Sequence, residues 1–519
     1  MSRTFYITTP IYYANASPHL GHAYADVIAD VCARYHRLKG DDTFFLSGTD
    51  EHGAKILRSA EKAGVPVEKF VEERREEFKN LLQRLDASND GFIYTADKEH
   101  HWPGAQKMWE KLMESGDLYK SSYKGLYCIG HEAFVTEKDL VDGKCTDHNQ
   151  APEVIEEENY FFRLSKYASR IKSAIESGAF QVLPEVRKNE VLAFLADGVE
   201  DISFSRPSKD IGWGIPVPRD PEHTMYVWAD ALSNYLSALG YGSSDESRMS
   251  TMWPANLHVV GKDILRFHAV IWPGMLMAAN LPLPKALYVH GMIISGGQKM
   301  SKTIGNVINP LSIIDTYGVD AFRYFLMREI PFGGDGDFTL ERFQDVYQGN
   351  LAHGLGNLVS RVFTMIQKYA PDGIAKPPAD ILATIPLKRQ LRQEVSEKTV
   401  ELDSETLHRY FHKEIEERYS HAMEVTELTE AIKILFSFFA LLDGYIQDYE
   451  PYKLIKIDEQ KALAVLWNLA SHILASVPLL EPFMPSTAQK IKDIFVMHDE
   501  KVTIQGGVAL FPSFDTVQS

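Results

Sequence analysis

Three cysteines in 519 residues, Cys32, Cys128 and Cys145, are too few for a disulfide framework, and so long a chain with so few suits a reducing compartment. Basic residues are also in short supply. The 54 Lys and Arg stand against 71 Asp and Glu, a formal charge of -17, which argues against a generally basic nucleic-acid coat and leaves only local patches for phosphate. No apolar run reaches the roughly 20 residues a membrane helix needs. The N-terminus, MSRTFYITTPIYY, lacks the charged lead and apolar core of a signal peptide, so the expected location is the cytoplasm. Internal repeats and low-complexity tails are missing too. What remains is ordinary globular composition, 45% hydrophobic and 24% charged, at a length that predicts roughly three domains.

The order of patterns predicts an α/β half followed by an all-α bundle. Residues 4–9 (TFYITT) are β-branched and aromatic and run into Pro10, as a strand does before a loop. A helix is expected next, with Ser17 as its cap, Pro18 in its first turn, and Ala23, Val27, Ile28, Val31 and Tyr35 on one face before Gly40. The segment DTFFLSGTD is a second strand, and a helix-rich stretch follows to about residue 115. LHVVGKD (257–263) and ALYVHGMII (286–294) are strands again, with ILRFHAVIWPGMLMAA helical between them. Strand–helix–strand order implies a parallel, Rossmann-type sheet. The expected domains are the first half of the sheet (1–115), a connective insertion (116–225), the second half (226–325), a linker region (326–349) and a helix bundle (350–519).

Two motifs carry chemistry. Pro18-His19-Leu20-Gly21-His22 sits at a strand-to-helix junction, where free N–H groups and the helix dipole favour phosphate, two imidazoles can donate to its oxygens, and Gly21 leaves room for a nucleotide. Taken alone, a His pair there is more often a cap or a surface feature. Lys299-Met300-Ser301-Lys302-Thr303, preceded by Ser295-Gly296-Gly297, offers two lysines that can neutralise a triphosphate; alone it is a solvated Lys-rich turn. The pairing decides, because both motifs follow strands of one parallel sheet, at the carboxyl edge where ligands bind.

Together the two motifs resemble the ATP motifs of class I aminoacyl-tRNA synthetases. TTPIYYANASPHLGH, GTDEHG (48–53), YVWADALSNYLSALG (226–240), GKDILRFHAVIWP (261–273), KMSKTIGNV (299–307) and GNLVSR (356–361) are similar to the methionine branch of that family, and the likeness runs over nearly the whole chain. The resemblance implies ATP- and Mg2+-dependent activation of L-methionine to methionyl-adenylate and its transfer to the 3' end of tRNA(Met). It implies that His19, Gly21, His22, Lys299, Ser301 and Lys302 bind ATP, with His19, His22, Lys299 and Lys302 stabilising attack of the methionine carboxylate on the α-phosphorus. Asp50 would bind the substrate ammonium, and Ile11, Tyr13, Trp228, Ala231, Tyr235, Ile264 and His268 would line the side-chain pocket. Aromatic walls suit a polarisable thioether. Without the resemblance, Trp228 and Tyr235, seven apart on one helix, read as core. Arg206 would contact the substrate side, and Leu232 stands where related enzymes carry Pro.

The pairs Cys128-x2-His131 and Cys145-x2-His148, thirteen residues apart in the insertion, are candidate ligands for one structural Zn2+. A plain hairpin with incidental Cys and His is the alternative, and His131 departs from the Cys typical of relatives. In the bundle, Asn357 and Arg361 lie four apart on one helix face. The resemblance implies that this face meets the anticodon, with Tyr452 of Glu450-Pro451-Tyr452 stacking on an unpaired base where many relatives carry Trp. Nothing after the bundle resembles the dimerising barrel of some relatives, so a monomer is expected.

Three kinds of rival are weaker: another class I synthetase, a nucleotidyltransferase and a non-catalytic scaffold. A leucine or isoleucine enzyme needs a larger editing insertion, since a methylene is poorly discriminated by binding alone. A cysteine enzyme needs zinc ligands in the sheet, where Cys32 is the only cysteine. A small-molecule nucleotidyltransferase has no use for the helical region with Asn357, Arg361 and Tyr452, and a non-catalytic tRNA-binding scaffold has no reason to keep His19, His22, Lys299 and Lys302.

Overall fold

The computed structural model describes residues 3–128, 133–135, 140–146, 149–300, 308–388, 406–507 and 510–512. The chain divides into two compact units, Met1–Met292 and Ile293–Ser519.

The first unit is built on a six-stranded parallel sheet. Its strands are β1 (Thr4–Tyr13), β2 (Asp42–Asp50), β3 (Gly91–Tyr94), Leu257–Gly261, Ala286–His290 and Gln181–Leu183. β1 lies inside, between β2 and Leu257–Gly261, and the order reverses there. Tyr6, Ile7, Phe45, Leu46, Val259, Val260, Leu287 and Val289 are buried along these strands, as continuous apolar runs in a sheet covered on both faces require. Helix α1 (Leu20–Leu38) follows β1 and buries Ala23, Val27, Ile28 and Val31.

β1 does not end at Pro10. Proline cannot donate to the ladder, so the register slips between Thr8 and Ile11 and then resumes, pairing Ile11 with Gly48, Tyr12 with Thr49 and Tyr13 with Asp50. Gly48 is required at that crossing: a Cβ there would lie 2.1 Å from the Ile93 carbonyl oxygen and 2.8 Å from Ile11 Cγ2. Nor does Ser17 cap α1. The cap is His19, and the Ser17 hydroxyl accepts from Arg74 instead.

The stretch 116–225 forms a separate antiparallel sheet around the long pair Leu118–Cys128 and Glu153–Phe162, plus a smaller one from Ser205–Pro207, Pro216–Val217 and Asp220–Met225. It also returns Gln181–Leu183 to the edge of the central sheet, beside Ala286–His290. A three-residue strand is too short for periodicity to expose.

The second unit is mostly helical. Arg323 is fully buried and donates from Nε to the Phe483 carbonyl and from Nη2 to the Pro482 carbonyl, pinning helix Val319–Glu329 to a turn far along the chain. Segment Glu459–Leu480 is apolar and long enough to cross a bilayer by length and composition, contrary to expectation, and two thirds of it is buried inside the unit. The unit also carries a small sheet of Ile374–Ala375, Phe495–His498 and Lys501–Ile504, whose hairpin turns through Asp499 and Glu500, both at positive φ.

Candidate active site

At the start of α1 the two motif histidines form a reciprocal cap. His19 Nδ1 accepts from the Gly21 N–H at 3.1 Å, and His22 Nδ1 accepts from the His19 N–H at 3.1 Å, with the rings stacked 3.8 Å apart. A nitrogen that accepts from the backbone carries no proton, so each neutral ring has its N–H at Nε2. Burial pushes His22 well below its ordinary value, helped by His19 and His290. Desolvation also lowers His19, though its outer edge reaches solvent, and Asp263 partly opposes the shift. The result is two neutral donors at a helix N-terminus.

Tyr12 and Tyr13, adjacent on β1, serve the two sides of the site. Tyr12 donates to Asp26 at 2.8 Å and packs 4.7 Å from the His22 ring, while Tyr13 meets Trp228 edge-on at 6.5 Å. On the Tyr13 side, Trp228 stacks on Phe267 at 3.8 Å and stands perpendicular to His268. Tyr235 donates to His268 Nε2 at 2.8 Å, and His268 Nδ1–H donates to the Ile264 carbonyl at 3.0 Å. Burial pushes His268 down to about 4, against the pull of Ile264 and Asp263, so the ring is neutral and its tautomer fixed. Ile11 and Ile264 pack against the core cluster that contains Trp228 and Tyr235, and Ala231 is buried.

Asp50 is the residue paired with Tyr13, so both side chains belong to one sheet face. Its buried carboxylate accepts from Thr95 Oγ at 3.2 Å and more loosely from the His52 N–H. Next to it, Glu51 holds Arg75 through two bonds of 2.7 Å.

Trp228 and Tyr235 lie on two consecutive short helices, Val227–Ala231 and Asn234–Ser237, rather than one. Arg206 is buried, donating to Ser203 Oγ and the Ser205 carbonyl, with its guanidinium over Tyr127 and Tyr226.

Sequence reasoning missed Asp263, whose carboxylate acts on His19, His268 and His290 alike. It also missed the buried hydrogen bonds that the Asp230 carboxylate accepts from His52 and His101. Asp263 had a signal in GKD, at the carboxyl end of a strand. Partners 129 and 178 positions apart have none.

In the second unit, Ile293–Ser295 and Gln298–Lys299 form a hairpin through Gly296 and Gly297, both at positive φ, as a two-residue turn of this kind demands. The Asp337 carboxylate accepts both glycine N–H groups, at 2.8 and 3.0 Å. Ser301 and Lys302 lie outside the described residues. Asn357 begins helix Asn357–Tyr369, and Arg361 one turn on pairs with Asp443 at 2.5 Å. Tyr452 is 41% exposed, its hydroxyl donating to Glu450.

Cys128 and Cys145 are buried in one small cluster with Val135, so two thiols of the candidate knuckle come together. His131 and His148 lie outside the described residues. Among the described residues no three potential ligands cluster.

A family model described as tRNA synthetases class I (M) matches residues 5–150 and 135–363. The methionine–tRNA ligase of Caldanaerobacter subterraneus is 41% identical, over 99% of this chain and 80% of that protein. That of Clostridium acetobutylicum is 43% identical over 94% and 73%. Among solved structures, Mycobacterium tuberculosis methionyl-tRNA synthetase bound by methionyl-adenylate aligns with a TM-score of 0.89 at 32% identity, covering 98% of this chain and 100% of that one. By sequence and by fold, the chain belongs to the methionine–tRNA ligase family of class I tRNA synthetases.

Proposed function

We propose that this protein condenses L-methionine with ATP to methionyl-adenylate, releasing pyrophosphate, and then esterifies methionine to the 3' end of tRNA(Met). The observation that carries this reading is that one strand serves both half-sites. On β1, Tyr12 packs 4.7 Å from the ring of His22, a phosphate donor, while Tyr13 meets Trp228 of the aromatic box edge-on and pairs with Asp50.

ATP is taken with Mg2+ as its counterion. The Nε2–H groups of His19 and His22 donate to its phosphate oxygens at the positive end of α1, and Gly21 admits the nucleotide against the backbone. Neutral donors suit a group whose negative charge shifts during reaction, because they need shed no proton. Lys299, Ser301 and Lys302 supply the remaining phosphate contacts, the lysines taking up charge as pyrophosphate leaves. Asp50 accepts the substrate ammonium, a charge-assisted bond in a dry setting. The thioether lies among Ile11, Tyr13, Trp228, Ala231, Tyr235, Ile264 and His268. His268 is kept uncharged there, so no ionised group competes with the soft sulfur. Attack by the methionine carboxylate on the α-phosphorus needs no enzyme nucleophile, since positioning and charge stabilisation suffice.

On the helical unit, Asn357 and Arg361 hydrogen-bond the anticodon and Tyr452 stacks on one of its bases. Cys128 and Cys145 would hold a structural Zn2+, with His131 and His148 as the candidate remaining ligands. The shared burial of the two thiols supports this, and the metal's contribution would be to fold the insertion. A cytoplasmic location fits the low cysteine content.

Amino-acid-dependent pyrophosphate exchange across the twenty amino acids tests reaction and substrate together. Methionine alone is expected to drive rapid exchange. A faster reaction with another amino acid, or none with any, overturns the assignment.

A further inference from the structure

A buried polar chain runs behind the aromatic box and takes no part in the chemistry proposed above. Both oxygens of Asp230 are engaged: His52 Nδ1 lies 2.7 Å from Oδ2 and His101 Nε2 lies 2.7 Å from Oδ1. The far nitrogen of His101 is 2.8 Å from Ser237 Oγ. All are shut from solvent, with His101 at 0%, Asp230 at 1%, His52 at 2% and Ser237 at 3% exposure. Trp102 and Trp213 seal the His52 ring with their edges. A carboxylate so deeply placed is expensive unless fully hydrogen-bonded, and an apolar core would serve stability as well or better.

Where the three ends of the chain lie suggests its use. His52 follows Asp50 by two residues on the segment that presents the ammonium-binding carboxylate, and its own N–H points back at Asp50. Asp230 sits in helix Val227–Ala231, between Trp228 and Ala231. Ser237 ends helix Asn234–Ser237, which carries Tyr235. Helix Trp102–Glu114, directly after His101, packs against both short helices. There is no slack at that packing, since a Cβ on Gly104 would come within 2.6 Å of Ser237 Cβ.

We propose that Asp230 is a positioning residue that couples the Asp50 segment to the two helices forming the side-chain walls, fixing the distance between the ammonium acceptor and the thioether box. The coupling sets which side-chain length fits once the ammonium is anchored. A rigid ruler of this kind discriminates where a bare apolar surface discriminates poorly. Hydrogen bonds hold the spacing better than packing does, because they fix direction as well as distance. The inference rests on the methionine-site reading above.

Asp230→Asn preserves shape but turns one acceptor into a donor facing an imidazole N–H. The expected result is a methionine KM raised about tenfold in pyrophosphate exchange, since small misplacements near a reacting group carry large penalties. The KM for ATP should stay within about twofold, and the preference for methionine over leucine should shrink. A merely structural role would instead lower the melting temperature and shift both KM values alike, and that outcome overturns the proposal, as does an unchanged methionine KM. If Asp230→Asn does not fold, Ser237→Ala decides by the same split: methionine KM raised several-fold with ATP KM unchanged supports the coupling, and no change sinks it. Failure of the wild-type protein to exchange with methionine would instead remove the underlying reading, so the two failures are distinct.

Discussion

At the residue scale, the site is governed by which nitrogen of each histidine is already spoken for. His268 has no free position: it accepts from Tyr235 and donates to Ile264, and protonation would set a proton against the Tyr235 hydroxyl hydrogen. In the unfolded chain the same ring titrates near 6.5, while in the folded protein burial lowers it to about 4. Below pH 6.5 the unfolded state therefore gains a proton that the native state refuses, and stability falls until the native ring is itself protonated near pH 4. The shift corresponds to on the order of 3 kcal/mol across that window. Urea melts at pH 7, 6, 5 and 4.5 should show His268→Gln losing less stability with acid than the parent; equal slopes would mean the ring is not held neutral. The grouping of His19 with His22, and of Trp228 with Tyr235 and His268, was legible from short strings because chemistry imposes residue type at fixed local spacing. The pairing of Asp230 with His52 and His101 was not, because it depends on the tertiary path.

At the scale of elements, the proposed function asks two jobs of the same side chains at the start of α1, capping and phosphate binding. His19 caps the helix through Nδ1 and offers Nε2–H outward, and the sequence suggested the phosphate role while assigning the cap to Ser17. Ser17 was a fair expectation from cap preference alone, but a His at the N-cap position competes once His22 closes the reciprocal bond. The two jobs can be separated. His19→Ala removes both and should cost about 1 kcal/mol of stability and roughly a hundredfold in the rate of adenylate formation. His19→Asn restores an N-cap acceptor without an N–H where Nε2 stood. It is therefore expected to recover the stability and leave the rate depressed, checked by thermal melts beside single-turnover adenylate formation. Recovery of the rate with the stability would show that His19 acts only as a cap. The bulge at Pro10 belongs to this scale too, for the strand continues past a residue that ordinarily ends one, and the continuation is what delivers Tyr12 and Tyr13 to opposite sides.

For the whole molecule, a net charge of -17 and a tRNA substrate look contradictory until the basic residues are located. On the helical unit Arg361, proposed above as an anticodon contact, is partly exposed and held by Asp443, which Gln447 also engages, so its guanidinium is kept in one orientation and would lose little freedom on binding RNA. Tyr452 presents its ring beside Lys453 on the same short helix. Recognition by a few oriented groups needs no basic coat, and it separates the reading of the anticodon from the chemistry of activation. Arg361→Ala should accordingly weaken tRNA(Met) charging by about one to two orders of magnitude, the scale of a lost base-specific contact, while methionine-dependent pyrophosphate exchange without tRNA stays unchanged. Exchange assays and aminoacylation on the same preparation check both at once. A collapse of exchange would mean that Arg361 supports activation itself, and the assignment of this helix face to the anticodon would fall with it.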